Sequence, residues 1–256
     1  MLSLSLTYHP RTKDSVHTAL KDITLSLPAG EKIGICGRTG SGKTTLLLSL
    51  LKLVESEGRI TIDNINISTI SRELLRERII TVSDEAFFFP ESTLRENIDP
   101  TGLCSDDALL QSALTKVMLW DAVSKGTTDD ATNPLDAVFS PDDLSHGQKQ
   151  LFALARAIVR HEAKGSGVAS LVILDEATSR TDKATDAVIQ RVIRDSFKEC
   201  TLLVIAHRLE SILDFDKVVV LEKGKVVEND KPATLREREG SVFRRMLGGE
   251  KEEASE

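Results

Sequence analysis

The chain has 256 residues, with 33 Lys and Arg against 40 Asp and Glu, and the resulting formal net charge of -7 argues against a protein that coats nucleic acid, leaving at most a local basic groove. Apolar residues make up 40% and glycine adds to them, which excludes wholesale disorder and provides a sizeable core, packed by aliphatic side chains because aromatics are only 4%. At roughly 150 residues per domain, the length suits one domain with an inserted subdomain.

Residues 2–8 alternate Leu2, Leu4, Leu6 and Tyr8 with Ser and Thr, which predicts a strand and lacks the basic start and continuous apolar run of a signal peptide. Strands are also predicted over 23–27, ending at Pro28-Ala29-Gly30, over 31–36, and over 59–67 with Asp63-Asn64 as a turn; their alternation points to an antiparallel portion. Between them a glycine-rich turn leads into a helical run over 43–53, closed by Gly58. Apolar spacings of three and four over 106–117, 119–123 and 144–159 predict an inserted helical subdomain, spanning about 85–160. Beyond it, 171–174, 201–205 and 217–221 read as strands buried on both faces, with a helix over 182–197, the pattern of a parallel α/β sheet. The polar tail 249–256 is expected to fray. Cys36, Cys104 and Cys200 are widely spaced and odd in number, which fits neither a disulfide framework nor paired metal knuckles. The longest apolar stretches, such as 218–221, fall far short of the roughly 18 residues that span a bilayer.

Gly37-Arg38-Thr39-Gly40-Ser41-Gly42-Lys43-Thr44 matches the phosphate-binding pattern Gly-x4-Gly-Lys-Ser/Thr between a predicted strand and helix. Glycines let the backbone curl around an oxyanion, the helix N-terminus supplies positive potential, Lys43 reaches terminal phosphates, and the Thr44 hydroxyl suits Mg2+. A second element, Leu171-Val172-Ile173-Leu174-Asp175-Glu176, ends a buried strand in two carboxylates. One can hold a metal through water and the next polarise an attacking water, or the pair can simply cap a following helix.

Leu144-Ser145-His146-Gly147-Gln148 taken alone would be an ordinary helix N-cap. Behind the phosphate loop and ahead of Asp175-Glu176, it resembles the LSGGQ signature of ATP-binding cassette (ABC) ATPases. Ser179-Arg180-Thr181-Asp182 then looks like the D-loop, Ala206-His207-Arg208 like the switch-histidine loop, and Tyr8 like the aromatic that stacks on adenine. The wording around Thr93-Leu94-Arg95-Glu96-Asn97-Ile98-Asp99-Pro100 resembles the second nucleotide-binding domain of C-subfamily, multidrug-resistance-associated-type exporters, and His146 with Phe87, Phe88 and Phe89 looks fungal. The resemblance implies an α/β P-loop NTPase with a mixed sheet, a single nucleotide-binding domain over 1–248, and Mg2+-dependent ATP hydrolysis. It implies Gly37 through Thr45, including Thr45 itself, and Tyr8 as the ATP contacts, with Lys43 also catalytic. Glu176 becomes the general base, Thr44 and Asp175 the Mg2+ ligands, and His207 the contact to the γ-phosphate and attacking water. Ser145, Gly147 and Gln148 would act on the ATP of a second cassette closing head to tail. Transmembrane domains, possibly in the same native polypeptide, would hold the cassette at the cytoplasmic face of a membrane, with no nucleic acid involved.

The sequence departs from that pattern in places. Asp84 stands where the family has a glutamine, and reads either as a shorter metal ligand or as a surface-turn aspartate. His146 replaces a glycine at a position expected to tolerate it. Residues 161–170 are longer than usual and suggest a surface loop. Phe87, Phe88 and Phe89 read as a face for a membrane domain or as filling for the helical core, where Trp120 also packs. His9, His17 and His161 read as surface residues. The alternative function is a non-hydrolysing regulatory or truncated cassette that binds ATP without coupled transport. A soluble cassette ATPase of repair or translation would call for a second cassette or a long coiled insertion.

Overall fold

Alternation over residues 23–27 buries Ile23, Leu25 and Leu27 and exposes Thr24 and Ser26, the pattern of a strand with one face on the core. The computed structural model describes residues 4–8, 19–55, 58–83, 86–125, 133–165, 170–175 and 182–253. In chain order they form β1 (Leu4–Tyr8), β2 (Ile23–Leu27), β3 (Lys32–Cys36), α1 (Lys43–Leu50), β4 (Gly58–Ile62), β5 (Ile65–Asn66), α2 (Arg72–Arg78), β6 (Ile79–Val82), α3 (Leu94–Ile98) and α4 (Asp107–Lys116). Then follow α5 (Trp120–Lys125), α6 (His146–Glu162), β7 (Leu171–Asp175), α7 (Lys183–Ser196), β8 (Thr201–Ile205), β9 (Lys217–Glu222), β10 (Lys225–Asp230), α8 (Pro232–Glu237) and α9 (Val242–Glu253). The chain divides into two compact units, one of Met1–Ile79, Ala169–Leu174 and Glu199–Glu256, the other of Ile80–Val168 and Asp175–Lys198.

The first unit holds two sheets. One is antiparallel in the order β2-β1-β4-β5, with Tyr8 opposite Ile23 on one side and Gly58 on the other. Its β4–β5 turn places Asp63 and Asn64 at φ 52° and 63°, the left-handed pair that a tight hairpin needs and that Asp and Asn tolerate. The other runs β10-β9-β3-β8-β7, with β3 parallel to both β8 and β9 and β10 antiparallel to β9. Ile33, Ile35, Leu46, Leu50, Ile173 and Ile205 belong to one buried cluster around this sheet. The mixed sheet and the inserted helices are those of an α/β P-loop NTPase, as the sequence predicts.

Three boundaries differ from expectation. Helix α1 stops at Leu50 and not at Leu53, because Lys52 takes φ 54° and closes a Schellman turn in which Leu53 N donates to Leu48 O and Lys52 N to Ser49 O. Lys52 Nζ anchors this turn on Ile70 O at 2.7 Å, so Gly58 does not terminate the helix and instead begins β4. Strand β5 ends at Asn66, whose side chain caps a 3₁₀ turn at Ile67–Thr69. In the tail, α9 runs on across Gly248 to Glu253 through Glu and Lys residues that favour helix, and 254–256 lie outside the described residues.

The start of α9 is fixed by Glu228 on β10, which accepts from Val242 N at 2.9 Å, Phe243 N at 3.0 Å and Ser241 Oγ at 3.1 Å. A carboxylate satisfying two helix-start N–H groups also faces the positive end of the helix dipole. Glu228→Ala is expected to lower stability by about 1–2 kcal/mol, read as a lower urea midpoint with an unchanged slope.

The second unit is mainly helical. Leu110, Ala113 and Leu114 of α4 are buried, as are Leu151, Phe152, Leu154 and Ile158 of α6. Arg95 of α3 reaches Asp107 of α4 at 2.6 Å and Asp136 at 2.7 Å. Its hydrogen bond holds the Asp107 carboxyl below the usual range. Helix α6 extends to Glu162, so His161 and Glu162 of the expected 161–170 loop are helical while 166–169 lie outside the described residues, and His161 packs beside Phe197 with ring centroids 5.7 Å apart. All three cysteines are buried and none is in a disulfide. Among the described residues, no helix is long and apolar enough to cross a membrane.

Candidate functional site

β3 ends at Cys36 and α1 begins at Lys43, so the loop between them emerges at the carboxyl end of a central parallel strand. Gly37 and Gly42 take φ 151° and 108°, backbone that side chains rarely adopt. A Cβ on Gly37 would sit 2.2 Å from Leu221 O and 2.7 Å from Ser41 Oγ, and one on Gly42 would sit 2.8 Å from Ala19 O. Helix α1 has Gly42 at its N-cap, no side-chain cap and no acidic residue in its first turn. A helix start without a side-chain cap hydrogen bond is the arrangement that binds an oxyanion.

Lys43 is only 7% exposed and folds back over the loop, donating from Nζ to Gly37 O at 2.7 Å. A second contact, to Arg38 O, is 3.4 Å long. The Ser41 hydroxyl is buried with no hydrogen-bond partner among the described residues. Arg38, Thr39, Gly40 and Thr44 are exposed along the rim and Thr45 is half-buried. A loop with clustered N–H donors, a folded-back ammonium and an orphaned buried hydroxyl fits a polyphosphate.

His207 follows β8, whose pairing with β3 sets Ile205 against Ile35 and lets Ala206 N donate to Ile35 O at 2.9 Å. The exposed His207 thus emerges at the same end of the sheet as the glycine loop. Tyr8 is the last residue of β1, and only its backbone is described. Asp175 is half-buried as the last residue of β7, while Glu176, Asp84 and 179–181 lie outside the described residues. Among the described residues, no three His, Cys, Asp or Glu side chains gather into a metal cage. Mg2+ requires none, since it is commonly held by one or two carboxylates or hydroxyls, waters and substrate phosphates.

Ser145 caps α6 through a capping box: Gln148 N donates to Ser145 Oγ at 3.2 Å and Ser145 N donates to Gln148 Oε1 at 2.9 Å. The N-cap expected of this segment is present, and the Ser-x-x-Gln spacing makes it reciprocal. Gly147 is buried and His146 exposed, with His146 Nε2 3.2 Å from Gln150 Nε2. Asp182 is the N-cap of α7, accepting from Ala184 N and Thr185 N at 2.9 Å, and the Thr185 hydrogen bonds hold its carboxyl below the usual range.

The core-filling reading of the phenylalanine run holds for Phe88, while Phe87 and Phe89 are exposed. Phe88 turns inward, its ring 5.1 Å from Phe152 and 6.1 Å from Phe139, whereas Phe87 is 67% exposed and Phe89 39%. The sequence reading missed Arg156 and Asn97, which hold this segment. An arginine three and four residues from apolar Val159 and Phe152, on the buried stripe of a helix, was the available clue.

A family model described as "ABC transporter" matches residues 20–179. The chain is 43% identical over 245 residues to ABC multidrug transporter B of Aspergillus fumigatus, and 40% identical over 241 residues to multidrug resistance protein mrp-7 of Caenorhabditis elegans. These alignments cover 95% and 94% of this chain but only 15% of either relative. A bacterial Atm1-family ABC exporter solved with ATP bound superposes with a TM-score of 0.81 at 26% identity, over 97% of this chain and 42% of that one. With the glycine loop, the uncapped helix and these matches in agreement, the chain belongs to the ABC transporter family, as one of its ATP-binding nucleotide-binding domains.

Proposed function

We propose that this chain, read over 1–248 as one cassette, hydrolyses ATP to drive an exporter, each ATP being sandwiched between two cassettes closing head to tail. The observation that carries this reading is the uncapped N-terminus of α1 behind a loop in which Gly37 and Gly42 admit no Cβ. Lys43 and the loop N–H groups bind the phosphates, and Tyr8 stacks on the base. Thr44 and Asp175 hold Mg2+, which when bound neutralises charge on the phosphate oxygens. Glu176 takes the proton of the attacking water, and His207 orients that water and the γ-phosphate. Ser145, Gly147 and Gln148 serve the partner's nucleotide: the capping box fixes the Ser145 hydroxyl at the head of α6, and the helix N-terminus adds positive potential where charge develops. Asp182 belongs to the D-loop that meets the partner.

The similarity to multidrug transporters supports placement as the second cassette of a C-subfamily exporter at the cytoplasmic face of a membrane. The chain spans 15% of those relatives' length, which leaves room for membrane domains in the same polypeptide. Phe87 and Phe89 supply an exposed apolar face for such a domain. Asp84 favours a second reading, a cassette that binds ATP without coupled hydrolysis. Size exclusion of Glu176→Gln with Mg-ATP separates the two: an ATP-dependent shift to a dimer supports the sandwich, and a monomer at saturating ATP supports the second reading.

A further inference from the structure

Arg156 sits on the buried stripe of α6 with no carboxylate partner among the described residues, and burial pulls its guanidinium down to about 10. Carbonyl oxygens accept its hydrogen bonds instead. Nη1 donates to Phe87 O, and Nε to Asn97 O at 2.5 Å, with Nη2 3.5 Å from Asn97 Oδ1. The guanidinium lies 5.0 Å from the Phe88 ring centroid and 5.1 Å from that of Phe152. Asn97, itself fully buried on α3, holds the neighbouring residue: its Oδ1 accepts from Phe89 N at 2.9 Å and its Nδ2 donates to Phe89 O at 3.3 Å.

Residues 86–89 lie in neither helix nor strand, so these two side chains stand in for the missing ladder. Their geometry turns Phe88 inward and leaves Phe87 and Phe89 outward, edge to face with centroids 5.1 Å apart. An apolar side chain of similar volume would fill the space without burying a charge. What the forked guanidinium adds is a simultaneous hold on backbone from two segments and on two aromatic faces. Residue 156 lies on the same rigid helix as Ser145 and Gln148, at its capped start.

We propose that Arg156, assisted by Asn97, is a positioning residue that ties the exposed Phe87 and Phe89 pair to α6, so that the pair follows the helix when its first turn engages a nucleotide. This rests on the reading of α6 as the helix presented to a partner's ATP. The link is mechanical: displacement of α6 is carried through the guanidinium to the carbonyl of Phe87, and through Asn97 to both backbone groups of Phe89.

Hydrogen exchange over 86–98 in the full chain tests it, in wild type, Arg156→Met and Arg156→Lys, each also in the Glu176→Gln background with Mg-ATP. Without nucleotide, Arg156→Met is expected to speed exchange at the Phe89 amide about tenfold while the α6 amides keep their protection, with Arg156→Lys in between. With Mg-ATP, protection of 86–89 is expected to rise in Glu176→Gln alone, and the response is expected to vanish when Arg156→Met is added although the dimer still forms. A mere packing role would leave that nucleotide response in place. Should Arg156→Met fail to fold, Arg156→Lys carries the same comparison. Unchanged Phe89 exchange, faster exchange spread evenly over the second unit, or an undiminished ATP response would overturn the proposal. Absence of ATP binding by wild type would instead overturn the functional reading, while the nucleotide-free exchange difference still decides whether the clamp exists.

Discussion

Glu176→Gln is expected to lower steady-state ATP turnover by about 10³-fold while leaving Mg-ATP affinity within about twofold of wild type. In sequence Glu176 directly follows Asp175, the last residue of a strand buried over Leu171, Val172, Ile173 and Leu174. Glutamine keeps the shape and removes the basic oxygen, so a loss in turnover without a loss in binding isolates proton transfer from phosphate recognition. Phosphate release measured beside nucleotide binding separates the two, and turnover within about threefold of wild type would remove Glu176 from the base role.

Lys43→Ala is expected to act on the other side of that division. ATP affinity should fall at least about 100-fold, because the ammonium is the loop's own charged donor and charge-assisted hydrogen bonds to phosphate are the stronger kind. The folded protein should survive. Losing Nζ removes its contacts to Gly37 O and Arg38 O, while the bends at Gly37 and Gly42 depend on the absence of side chains and not on Lys43. Thermal unfolding checks both points at once, since the nucleotide-dependent rise in melting temperature should disappear while the nucleotide-free transition stays cooperative.

Strands β7, β8 and β9 of the central sheet were legible in the sequence because they are short, mainly apolar runs, and the loop because its glycines and Lys43 carry a fixed spacing, whereas β3, expected in the antiparallel portion, pairs in parallel with β8 and β9. Other elements were hidden for physical reasons. Helix α3 has five residues and is held by the Thr93–Glu96 capping box and by packing of Leu94 and Ile98, too short a span to show a period. The hairpin partner β10 alternates exposed and half-buried residues and contains a register shift between Val226 and Glu228, which breaks its pattern. Helix α9 depends on Glu228, a residue of the preceding strand, so no local signal announces its start. At the site, Ser145 was readable as a cap, and the spacing to Gln148 makes it reciprocal. The hold of Arg156 on Phe87 joins residues 69 positions apart, and only the folded chain brings them together.

Calorimetric titration of the wild-type chain and Lys43→Ala with Mg-ATP bears most directly on the claim that residues 37–45 form a nucleotide site. One saturable site per chain in wild type, lost in the variant under the same conditions, is the expected result. No binding by the wild-type chain, or binding that Lys43→Ala leaves unchanged, would contradict it.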